Sequence, residues 1–118
     1  MKYMLLIYGN TDTWDALGTE GMDKVYDAHR KVYEEMKAAG EYVASDGLTT
    51  ANARVVQVKD GVPAVTDGPF TEAKEVLAGY YLVDCSLERA TELAAKLPEA
   101  QFSPIEVRAL TDPMPDEA

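Results

Sequence analysis

The segment Lys2-Tyr3-Met4-Leu5-Leu6-Ile7-Tyr8 limits what this chain can become more than any other stretch. It is a short apolar run closed by the turn residues Gly9 and Asn10, the pattern of a buried β-strand. Side chains alternate along a strand, so Tyr3, Leu5 and Ile7 face one way and Met4, Leu6 and Tyr8 the other. Both faces are apolar. A sheet built on this strand therefore needs cover on both sides.

The 118 residues suffice for one domain. A domain of this size buries roughly two-thirds of its unfolded surface and needs no covalent staple. With 47% hydrophobic residues the composition is that of a globular chain, not a disordered one. Asp12 to Leu17 reads as a short helical turn stopped by Gly18. Thr19 is a plausible N-cap for the main helix, with Glu20 in its first turn. Met22, Val25, His29, Val32, Met36 and Ala39 then follow at steps of three and four, an amphipathic seam. Gly40 fits the residue just past the helix end.

A second strand begins at Tyr42 to Ala44 and breaks at Asp46-Gly47. Ala53 to Lys59 reads as a strand, Asp60-Gly61 as a two-residue hairpin turn, and Val62 to Thr66 as the returning arm. Pro63 marks that arm as an edge. Asp67-Gly68-Pro69-Phe70 is a turn by its chemistry, and Gly79 to Asp84 is a strong strand. Ser86 caps a second helix with the stripe Leu87, Ala90, Leu93, Ala94 and Leu97, ended by Pro98. Ser103 to Leu110 is the last strand. Residues 1–111 form the domain, and 112–118, with two prolines and three acids, read as a flexible acidic tail.

The order is β-α-β, a hairpin, then β-α-β. The expected class is α+β: a ferredoxin-like, split βαβ antiparallel sheet with two helices on one face and an inserted β-hairpin. Two helices cover one face only. The other implies a second subunit, most simply a two-fold homodimer.

Charge and residue usage exclude several functions. Eleven Lys and Arg stand against 21 Asp and Glu, a formal net charge of −10. Such a surface repels nucleic acid and anionic membranes, and the chain has no basic stripe. One cysteine and one histidine leave no intramolecular disulfide, no cysteine-built zinc site and no multi-histidine metal site. Cys85 reads as a small buried hydrophobe. The opening apolar run is too short for a signal peptide, and nothing approaches the roughly 20 apolar residues of a membrane helix. The expectation is a cytoplasmic protein without metal or organic cofactor.

Three groups of residues are candidates for chemistry. His29 lies within an apolar seam, where an unpaired imidazole costs on the order of 1–3 kcal/mol, so it needs a partner. It is either a core histidine bonded to backbone or a general acid–base. Tyr26 and Tyr33, three residues before and four after, are placed to shape a pocket around it. Asp67 is either a turn cap or a carboxylate reaching into a cleft. Lys74, between Glu72 and Glu75, reads more readily as a surface ion pair. The strand tyrosines, Tyr81 among them, suit either core packing or a pocket wall. There is no nucleophile elbow, phosphate-binding glycine loop or dinucleotide fingerprint.

These residues resemble a family. Lys2 to Gly9 looks like the start of YCII-related proteins. Thr66-Asp67-Gly68-Pro69-Phe70-Thr71-Glu72-Ala73-Lys74-Glu75, then Gly79-Tyr80-Tyr81, resembles the DGPF branch of that family. Pro104 to Arg108 fits its usual close, so the likeness spans about residues 2–110. The resemblance implies a dimeric α/β barrel-like assembly of ferredoxin-like subunits and an enzyme-like pocket. It also implies a first-helix histidine eleven residues before a glycine, the spacing of His29 and Gly40. The better-known members pair that histidine with an aspartate just before a proline. Here Leu97 precedes Pro98, and Asp67 is the expected substitute.

One relative is a dehydrochlorinase acting on a chlorinated hydroquinone-type ring, which implies acid–base lyase chemistry. DGPF proteins also tend to be encoded beside extracytoplasmic-function sigma factors, which implies regulation. The leading expectation is a small-molecule enzyme using His29 as acid–base, Asp67 as its orienting group or second acid, and Tyr33, Phe70, Tyr81 and Lys74 at the ligand. The alternative is a non-catalytic ligand- or partner-binding dimer in a sigma-factor pathway.

Overall fold

A computed structural model describes residues 1–69 and 75–111. The elements are β1 (Lys2–Gly9), α1 (Thr11–Ala38), β2 (Tyr42–Gly47), β3 (Arg54–Lys59), β4 (Val62–Asp67), β5 (Val76–Asp84), α2 (Leu87–Lys96), a 3-10 turn (Pro98–Gln101) and β6 (Ile105–Ala109). Four strands form one sheet in the order β2-β5-β1-β6, and β3 pairs with β4 in a separate two-stranded sheet. Each neighbouring pair is antiparallel. Strands β1 and β2 therefore run parallel with β5 inserted between them, the split βαβ of an α+β protein and consistent with a ferredoxin-like fold.

The helices follow their punctuation. Asn10 caps the first turn, its side chain accepting from the Thr13 N–H at 2.7 Å. A first short helical stretch thus runs from Thr11 to the expected stop at Gly18, whose φ 67° and ψ −176° separate it from the main helix that follows. At the other end Gly40 takes φ 70°, as expected. Its N–H reaches the Lys37 carbonyl at 3.1 Å, and the Glu41 N–H reaches Met36 at 2.9 Å. Both bonds of a Schellman cap are present. In α2 the Ser86 hydroxyl accepts from the Arg89 N–H at 3.1 Å.

The core joins Tyr3, Leu5 and Ile7 to Val32 and Met36 of α1, to Tyr81 and Val83 of β5, and to the inner face of α2. Both helices therefore cover the same face of the sheet. Two seam positions do not: Ala39 is exposed beyond the last turn, and Leu87 is 51% exposed because it opens α2 outside its buried stripe. Cys85 is half-buried against the core, and burial raises its thiol pKa. No described helix is long and apolar enough to cross a membrane.

On the opposite face Met4, Leu6, Tyr8, Tyr80 and Leu82 are half-buried, and no described helix covers them. The described chain is only 19 Å across its shortest axis, about one sheet plus one helix layer. The expected acidic tail, 112–118, lies outside the described residues.

Candidate active site

A cavity of about 590 Å³ opens between α1, the end of β2, β5 and the turn at Pro98. That volume suits a small organic ligand. His29, Tyr81 and Glu99 line one wall, and Trp14, Tyr26 and Phe102 supply apolar surface.

Each polar group is brought there by its element. His29 shares the inner stripe of α1 with buried Val25 and Val32, so its ring is turned toward the sheet. Tyr81 alternates inward with Val83 on β5. Pro98 starts the 3-10 turn, and the residue after it, Glu99, swings back under α1. Gly9 makes room for the indole at the cavity edge, because a Cβ there would stand 2.4 Å from Trp14 Cζ2.

His29 is bonded at both ring nitrogens. Nδ1 lies 2.8 Å from the Tyr81 hydroxyl and Nε2 lies 2.7 Å from Glu99 Oε2. The imidazole and carboxylate side chains are 20% and 11% exposed, so solvent screens this contact weakly. An ionised carboxylate only accepts. A neutral His29 therefore carries its proton on Nε2, and its Nδ1 accepts from Tyr81. Burial, then the nearby charges of Glu99 and Tyr42, push the Tyr81 hydroxyl up to about 12, so it remains a phenol at neutral pH. Among the described residues, Glu99 Oε1 and the Ser103 hydroxyl are buried without a hydrogen-bond partner.

The histidine's acidic partner is thus Glu99 and not the expected Asp67. Asp67 ends β4, where its side chain is 94% exposed and lies 3.6 Å from Arg54 across the hairpin. Its place at the foot of a projecting hairpin sets it apart from the residues lining the cavity. Tyr33 also points elsewhere. It packs edge-on against Tyr42, with centroids 4.8 Å apart, under the Lys37 ammonium. Tyr81 does stand at His29, stacked with centroids 5.8 Å apart. Phe70 and Lys74 lie outside the described residues. Sequence reasoning passed over Trp14 and Glu99. For Glu99 a signal existed, a carboxylate immediately after the proline that ends α2.

Fold and site together define an α+β domain that holds a carboxylate–imidazole–phenol triad at the wall of a pocket of small-molecule size. The chain matches the YCII-related domain family over residues 1–113, and it belongs to that family. It is also 37% identical over 123 residues to an uncharacterised protein of Rhizobium meliloti (strain 1021), covering 99% of this chain and 98% of that one.

Proposed function

We propose that this protein binds a small organic molecule in the His29 cavity and moves a proton on it through Tyr81, His29 and Glu99. The observation that carries this reading is the bonding of both His29 nitrogens, one to a buried carboxylate and one to a phenol that lines the pocket. Both nitrogens of a mostly buried imidazole need partners, so what counts here is which partners they have. This one is oriented and charge-compensated on one side and linked to the cavity on the other, the logic of a catalytic triad with a phenol as its outer member.

The proton path follows from the bonds. With both nitrogens occupied, substrate meets Tyr81 first. The Tyr81 oxygen takes a proton from substrate as its own proton passes to His29 Nδ1. The resulting imidazolium donates from both nitrogens and is stabilised by Glu99. Reversal returns a proton to the same or a neighbouring atom, which gives isomerisation. Departure of a leaving group instead gives elimination. The high Tyr81 pKa makes the phenol a conduit and not a standing base.

Deuterium exchange in D2O over a panel of enolisable ketones such as 2-tetralone tests this. At least one member exchanges on the order of 100-fold faster with the wild type than with His29→Gln or Tyr81→Phe, the usual scale of acid–base assistance. Equal rates for all three proteins across the panel overturn it. The uncovered sheet face supports a homodimer of barrel-like form in this reading, with one cavity in each subunit. A cytoplasmic setting fits the lone Cys85 thiol.

A further inference from the structure

One row of the sheet bears on what the cavity takes. Ile7, Gly79 and Gly47 pair across β1, β5 and β2. Ile7 belongs to the core beneath the helices, so all three positions face the helix side, where they line the cavity. Tyr81 stands on the same face two residues along β5 from Gly79, roughly 7 Å away. Asp46 and Tyr80 alternate to the other face, so their side chains stay outside the cavity. Two adjacent floor positions thus carry no side chain.

Glycine weakens a strand, and it marks a place where a backbone or a ligand comes close. Neither Gly47 nor Gly79 has a positive φ. At Gly79 the close neighbour is backbone, since an added Cβ would stand 3.0 Å from the Asp46 carbonyl oxygen. At Gly47 an added Cβ would meet, among the described residues, only the Ala78 carbonyl oxygen at 3.9 Å. Nor is Gly47 a turn, because the ladder runs past it and the Leu48 N–H donates to Ala78 at 2.8 Å. What its missing side chain leaves open is the cavity floor. The same sheet shows what a bare strand accepts: at Gly9 the Trp14 indole lies directly on the backbone.

Met22, Val25, Tyr26 and Phe102 make the rest of the wall apolar. Glu99 is engaged by His29, and no lysine or arginine lines the cavity among the described residues. An ion would find nothing there to offset its lost hydration. We infer that Gly47 is a specificity-determining position that keeps the cavity floor flat for an uncharged conjugated ring. Such a ring is one atom thick and lies on the Gly47–Gly79 strip with an oxygen at the Tyr81 hydroxyl. A puckered saturated ring stands off that floor. This inference rests on the reading of the cavity as a small-molecule site and adds the ligand's shape and charge.

The chain carries its own reporter. His29 is the only histidine, so its imidazole proton signals report binding beside Tyr81. 2-Naphthol and decahydro-2-naphthol share a carbon skeleton and one hydroxyl, and both are uncharged at pH 7; one is flat and the other puckered. 2-Naphthol is expected to shift the His29 signals saturably and to bind at least fivefold more tightly than the saturated alcohol. Its more acidic hydroxyl also favours it, so Gly47→Ala is the decisive measurement. The variant has room for its methyl group, and alanine restricts the unfolded chain more than glycine does, so its melting temperature should not fall. It should weaken 2-naphthol at least fivefold and change the saturated alcohol by less than twofold. Equal loss for both probes, or no loss for 2-naphthol, overturns the inference. A lower melting temperature also overturns it, by making Gly47 a structural glycine. Should the saturated alcohol bind the wild type as tightly as 2-naphthol, the inference falls and the small-molecule reading stands, since both probes reach His29. If neither probe moves the His29 signals, the inference falls, and deuterium exchange over the ketone panel decides the broader reading by itself.

Discussion

Replacing Glu99 by Gln keeps the side chain's volume and removes its charge. In the wild type the acceptor-only carboxylate fixes the neutral ring with its proton on Nε2. A glutamine amide presents a donor or an acceptor, so this preference should disappear. The 15N spectrum of labelled His29, taken at about pH 9 where an ordinary histidine is neutral, is expected to show one tautomer in the wild type and two in Glu99→Gln. Two tautomers in the wild type would break the proposed path at its first bond. A second residue-scale test concerns Gly9. Its Cβ would overlap the indole ring, so Gly9→Ala must displace Trp14. A shift of the Trp14 emission maximum is expected, together with weaker binding in the cavity. His29 was legible as a candidate because it is a lone imidazole in an apolar seam. Its partner was marked only by its place after Pro98, which does not by itself point to His29. Glu99 is 70 residues away in sequence, and only the turn after α2 brings it back.

At the scale of elements, most of the fold was written locally. Gly18, Gly40, Asp60-Gly61 and Ser86 each perform the stop, turn or cap that their chemistry suggests. Burial at helix ends was less legible, since Leu87 and Ala39 continue an apolar period past the point where the sheet lies beneath them. The two helices and the start of β2 are tied by charge. Arg89 holds Glu41 and Glu35 at 2.8 Å each, and Lys96 reaches Glu35 at 2.7 Å. The Lys96 and then the Arg89 hydrogen bonds lower the Glu35 pKa. A depressed carboxylate adds stability that is present above its unfolded pKa and is lost as pH falls through the folded one. The melting temperature of the wild type should therefore drop on acidification below about pH 4.5, the ordinary value for this group. Glu35→Gln should start lower at neutral pH and lose less over the same range. Parallel curves for the two proteins would show that this network does not contribute.

The β3–β4 hairpin raises a different point at this scale. Val56 and Val65 face each other across it, and Val58 faces Pro63, all on one exposed side. An isolated two-stranded hairpin is marginal in water. Yet Val56, Val58 and Val65 remain 60%, 65% and 58% exposed, so they contribute little to holding the domain together. The double substitution Val56→Thr and Val65→Thr is expected to change unfolding stability by less than about 0.5 kcal/mol each, the usual range for exposed positions. A loss of several kcal/mol would mean that the hairpin is covered in solution.

For the whole molecule the deciding fact is that the described residues cover one sheet face. A strand with two apolar faces in a two-layer protein leaves the second uncovered, and here Met4, Leu6 and Leu82 lie on it. Pairing two copies through this face buries it and places the helices outermost on both sides. Sedimentation should therefore give twice the 12.9 kDa chain mass at about 100 µM. Each copy brings a formal charge of −10, so association works against like-charge repulsion. Raising the salt from about 20 mM to 0.5 M shortens the Debye length several-fold and should tighten the dimer, the opposite of an interface held by ion pairs. Leu6→Lys with Leu82→Lys adds positive charge, which by itself would relieve the repulsion. The pair is nevertheless expected to sediment as a 12.9 kDa monomer, because desolvating four ammonium groups in one interface outweighs that relief. The circular dichroism of the variant should match the wild type, since neither side chain belongs to the core between sheet and helices. A wild type that stays monomeric at high salt would show that this face is stable in water.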